Sequence, residues 1–145
     1  MIMKRMFVGI AVMVALGFVR PAFAEMVVIV NKDNPLATIS RGEVEMIYLG
    51  KKKQFPDGSP AVPVDLPADS PLRREFFTTV LGKAEESYRL YWVRMIFSGK
   101  GQPPLTLGDE DEAVKFVSRN KGGIAFVESG GMAPGVKTVT ISGMK

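Results

Sequence analysis

The chain has 145 residues, with 19 Lys and Arg against 15 Asp and Glu, 46% hydrophobic residues, and neither histidine nor cysteine. Those two absences exclude a Ser-His-Asp triad, thiolate chemistry, the usual zinc ligand sets and any disulfide. The length fits one domain whose core is large enough to stand without cross-links.

The first 24 residues have the pattern of a secretory signal peptide. Lys4 and Arg5 give a positive start and Phe7 to Val19 an apolar run. Ala22-Phe23-Ala24 supplies the small-x-small pattern that places cleavage after Ala24. The alternative, a membrane anchor, needs roughly 20 apolar residues, and this run is shorter. No later stretch has the apolar length of a span. The expectation is an exported, periplasmic protein, with one domain over residues 25–145 and no membrane span after cleavage. Lys4, Arg5 and Arg20 leave with the leader, so the remainder is close to neutral. A nucleic-acid footprint carries a strong basic excess, and nucleic acid is not expected as a partner.

Met26 to Val30 is a continuous, mostly β-branched apolar run, the mark of a buried strand. A loop follows through Pro35. Ser40-Arg41-Gly42-Glu43 fits a capping box, predicting a helix to about Leu49 with Gly50 as its stop and Val44, Ile47 and Tyr48 on one face. Lys51 to Pro60 carries turn chemistry, and its three lysines fit a solvated loop better than a ligand or membrane contact. Ala61 to Leu66 is a short strand in which Pro63 favours an edge or a strand start.

Ser70 is positioned to cap the next helix, with Pro71 at its first position. Leu72, Phe76, Phe77 and Val80 form its stripe, and Gly82 ends it. Ala84 to Phe97 predicts a longer helix. Tyr88, Tyr91, Trp92, Met95 and Ile96 recur at helical spacing, with Leu90, Val93 and Phe97 beside them. So wide an apolar face predicts burial on more than one side, as core packing rather than an aromatic ligand platform.

After a Gly/Pro loop, Asp109 to Glu112 opens a helix with Ala113, Phe116 and Val117 inward. These four acids fit a capping box and the positive helix end. They lack the alternating ligands of a calcium loop, so no metal is expected. Gly122-Gly123 stops that helix. Ile124 to Val127 and Val136 to Ile141 are strands separated by a loop. The order β-α-β-α-α-α-β-β predicts an α/β fold, a mixed sheet flanked by helices.

The stretch VDLPADSPLRREFF, residues 64 to 77, holds the candidate site. A helix start offers unpaired N–H groups and partial positive charge, so it attracts anions. Arg73 and Arg74 stand in its first turn, where cations cost about 0.3–1 kcal/mol each. A bound anion reverses that sign, and an arginine can grip it with two parallel hydrogen bonds. Ser70, Arg73 and Arg74 are therefore the candidate anion-binding residues. In the competing reading Ser70 only caps the helix, and Asp69 and Glu75 neutralise the arginines. Asp65 and Asp69 could form a carboxylate pair, but aspartate is common beside turns. No catalytic residue, cofactor or enzyme activity is expected.

Several stretches taken in order carry a family resemblance: Ile39 to Val44, Ile47 to Lys51, Ala61 to Val64, Trp92 within its helix, and Asn120 to Val127. From about Val27 to Val127 the chain resembles the periplasmic phosphate-binding protein of ABC transporters, in the type 2 periplasmic-binding-protein superfamily. The resemblance implies a periplasmic-binding-protein-like lobe and a phosphate-like small oxyanion bound for ABC-type uptake. It also implies an ABC permease or another periplasmic protein as partner.

Two departures stand out. Family members close two lobes around the ligand, and this chain provides one. Where the family carries an arginine, an aspartate and a Ser-Gly-Thr turn, this chain has Leu66, Ala68 and Ser70-Pro71-Leu72, so Ser70 alone carries over. The alternative function is a periplasmic interaction module that keeps the lobe fold without ligand binding. It would bind a protein partner, or a second copy as a homodimer, through an exposed Phe55, the Lys51 to Lys53 loop or an uncovered apolar face.

Overall fold

The computed structural model describes residues 25–144; the expected signal peptide lies outside them. Strand β1, Met26–Asn31, is the central feature of a six-stranded sheet ordered β2-β6-β1-β5-β3-β4. It pairs antiparallel on both sides, Val28 lying opposite Phe126 of β5 (Gly123–Glu128) and Val139 of β6 (Val136–Ser142). Its uninterrupted apolar run follows from this position, because Val28, Ile29 and Val30 are all buried. Strand β3, Val62–Asp65, runs parallel to β5, so the sheet is mixed as expected.

Two strands escape the sequence pattern. β2, Thr38–Ser40, joins β6 in parallel, and β4, Leu105–Thr106, joins β3 in parallel. They are the two outermost strands, and three and two residues are too few to establish a period of two.

Helix α1, Arg41–Tyr48, starts at the expected cap, where the Ser40 hydroxyl accepts from the Glu43 N–H at 3.1 Å. Val44, Ile47 and Tyr48 are buried as the spacing predicts. Helix α4, Glu110–Arg119, is capped by Asp109, which accepts from the Glu112 N–H at 2.8 Å. Helix α2, Pro71–Phe76, runs on into a π-helical turn over Phe77–Leu81. There the Thr78 and Thr79 hydroxyls donate to the carbonyls of Arg74 and Glu75. Gly82, at φ 61°, closes the segment in the left-handed conformation. Helix α3, Glu85–Phe97, follows.

The core is built around aromatic rings. Phe76 stacks on Phe126 at 4.1 Å between centroids, and Tyr48 meets Phe76 at 4.8 Å. Hydroxyls fix the helices to the sheet and to one another: Tyr48 of α1 donates to the Val64 carbonyl of β3 at 2.9 Å, Tyr88 of α3 to the Tyr48 carbonyl and Tyr91 to the Leu49 carbonyl. Tyr48 and Tyr88 bury their rings and Tyr91 does so in part, each while satisfying its polar end.

Two expectations are corrected, those for Phe55 and for the helix from Ala84 to Phe97. Phe55 is buried, at 1% exposure, because Phe55 and Ser59 close a tight turn that folds the ring inward. Lys52, in the lysine loop, is paired with Glu43 at 2.5 Å. Helix α3, expected to be buried on more than one side, is buried on one. Tyr88 and Trp92 are covered, while Leu90, Val93, Ile96 and Phe97 face solvent. No helix among the described residues is long and apolar enough to cross a membrane.

Candidate functional site

Strand β3 delivers its last residue, Asp65, into the interior at 3% exposure. The chain then turns through Leu66-Pro67-Ala68-Asp69, with the Ser70 N–H donating to the Pro67 carbonyl at 2.9 Å. Ser70 is the N-cap of α2, its hydroxyl accepting from the Arg73 N–H at 3.3 Å, and Pro71 takes the first helical position. The cap is where the sequence places it.

The two arginines have different environments. Arg73 folds back from the first turn onto the end of β3. Its Nε and Nη2 donate to Oδ1 and Oδ2 of Asp65 at 3.0 and 3.2 Å, a two-pronged pair. Its Nη1 reaches Glu85 Oε1, at the start of α3, at 3.4 Å. The guanidinium lies over the Phe77 ring, 4.3 Å from the centroid, with Tyr88 also nearby. Arg73 therefore ties β3, α2 and α3 together. Arg74 points outward and makes no salt bridge among the described residues.

The competing reading gave neutralisation of these arginines to Asp69 and Glu75; for Arg73 the partners are Asp65 and Glu85 instead. A signal was present. A carboxylate at the end of an apolar strand cannot be buried without a partner, and Arg73 is the cation the following turn brings back to it. Burial pushes the Asp65 carboxyl above its ordinary value, against the lowering effect of Arg73's hydrogen bonds and charge. Burial, then the Asp65 charge, also raises the Tyr88 hydroxyl. Asp65 is thus occupied by Arg73, while Asp69 is exposed. Among the described residues, no group of three or more carboxylates is placed to hold a metal ion.

Comparison with solved structures gives the fold class. The chain is similar to an ABC-type phosphate transport receptor from Vibrio cholerae, with a TM-score of 0.64 at 17% identity, over 83% of this chain and 47% of the other. It is similar to a phosphate ABC transporter substrate-binding protein with bound phosphate from Clostridium perfringens, at 0.65 and 18%, over 83% and 46%. PstS from Borrelia burgdorferi gives 0.62 and 10%, over 83% and 48%. The chain spans about half the length of each. It has the α/β fold of these phosphate receptors as a single-lobe match. No protein-family model matches the sequence, and no curated protein matches it significantly.

Proposed function

We propose that the protein is an exported, single-lobe solute-binding protein that takes a small oxyanion of the phosphate class, for ABC-type uptake. The carrying observation is the fold shared with phosphate receptors, joined to a capped helix start that bears two arginines. Arg74 is the first contact, since it is exposed and outside the salt bridges. Ser70 contributes at the cap, and Arg73 joins only by leaving Asp65. Two charge-assisted hydrogen bonds are worth about 3–4 kcal/mol, which corresponds to a dissociation constant of about 1 mM. The similar proteins are described as receptors, and the proposed role is likewise binding rather than catalysis.

A second reading is favoured by the Arg73–Asp65 pair. An internal carboxylate already holds the arginine, as suits an interaction module with no small ligand. Calorimetric titration of the full-length gene product recovered after export, with phosphate, sulfate and a dicarboxylate, separates the two. On the first reading phosphate binds weakly and saturably, Arg74→Ala abolishes binding, and Asp65→Asn tightens it about tenfold by removing the competing charge. Flat traces for every anion, the Asp65→Asn variant included, overturn the first reading and leave the second.

A further inference from the structure

Helix α3 is apolar on two faces and covered on one. Tyr88 and Trp92 pack inward. On the opposite side Leu90 is 45% exposed, Val93 37% and Phe97 88%, and Ile96, on the flank next to Trp92, is 53% exposed. A second apolar face on a helix normally has a neighbour of its own. Phe97 alone presents on the order of 150 Å² of apolar surface, and Ile96 shares a surface groove with the exposed Leu105 of the edge strand β4. Exposed apolar surface of this kind marks contact sites.

The order of residues along the face indicates what covers it. Glu86, Leu90, Val93 and Phe97 follow the four-three-four spacing of a helix-pairing seam, and Lys100 comes just past the helix end. The seam has an acid at its first turn, apolar residues in its middle and a base at its end. We propose that the partner is a second copy of this chain, with α3 pairing antiparallel to α3 about a two-fold axis near Val93.

That arrangement sets Leu90 of one copy against Phe97 of the other and Val93 against Val93. It places each Glu86 beside the other copy's Lys100, and the two helix dipoles oppose. A parallel pairing would put Glu86 against Glu86 and Lys100 against Lys100. Glu86 has only its exposed intrahelical pair with Arg89, and Lys100 has no salt bridge among the described residues, so both can take the contact. The surface is distinct from the start of α2 and does not depend on oxyanion binding.

The test is sedimentation velocity of the full-length gene product recovered after export, over a concentration series, with circular dichroism on every variant. The expected result is a mass that doubles with concentration. Phe97→Glu and Leu90→Glu should each abolish the doubling. Met132→Glu, at another exposed apolar position on the β5–β6 connection, should leave it intact. Glu86→Lys and Lys100→Glu should each weaken association, and the two together should restore it, because the two-fold axis brings the exchanged charges together again. A monomer at every concentration overturns the proposal. So does a dimer indifferent to both Phe97→Glu and Leu90→Glu, or a charge exchange that fails to rescue. Phe97 is so exposed that a folding defect is not expected from its substitution. If dichroism nevertheless reports one, Leu90→Glu and the charge exchange decide the question.

Discussion

Asp65 and Arg73 form an ion pair set well inside the protein, with side chains 5% and 14% exposed. Breaking such a pair by removing the cation leaves a buried carboxylate, at a cost of about 3 kcal/mol. Arg73→Ala should therefore destabilise by about that amount at neutral pH in denaturant titrations. The loss should shrink at acid pH, because Asp65 can then take up a proton. The sign follows from the carboxyl's raised value in the folded protein. Such a group contributes stability that is complete below its unfolded value, near 4, and is lost as pH rises through the folded one. Arg73→Ala raises the folded value further and widens that window. A loss that stays constant between pH 4 and 7 would place the role of Arg73 in its stacking on Phe77 instead of its charge.

The elements divide by how locally they are encoded. Gly50 ends α1 at φ 67°, and an added Cβ there would lie 2.8 Å from Cη2 of Trp92. Gly50→Ala should cost about 1–2 kcal/mol in thermal melts from backbone strain alone. Gly42→Ala, inside the same helix with nothing within 4 Å, should stabilise by about 0.5 kcal/mol. Caps and stops such as Ser40, Ser70, Gly50 and Gly82 were legible because a helix end depends on the few residues that form it. So were β1 and β5, whose apolar runs declare burial on both faces. Strands β2 and β4 were not, because they exist only through their pairing with distant β6 and β3. Phe55 was misjudged because a loop has no period to say which way a ring faces. At the site, Ser70's cap was readable, and so was the need of a carboxylate at the end of β3 for a partner, whereas the groups that meet at Arg73 were not. Glu85 lies on another helix and Asp65 across the turn, and their approach to the guanidinium is set by tertiary packing.

At the scale of the molecule the sheet depends on β6, the last of its strands in chain order. β6 hydrogen-bonds to β1 on one side and β2 on the other. A chain cut after Gly135 leaves both without that partner and exposes the buried Val28, Ile29 and Val30 along one edge. It should show no cooperative thermal transition by circular dichroism; a sharp transition would mean that the still-paired strands β1-β5-β3-β4 form a self-sufficient unit.

The central position of β1 has a further consequence, in time rather than space. β1 opens the described chain, yet both its neighbours come from the C-terminal third. As the polypeptide emerges from the ribosome, its most apolar strand has nothing to pair with until β5 and then β6 have followed. Such distant pairings make folding slow. The delay keeps the nascent chain open until synthesis has passed β5 and reached β6.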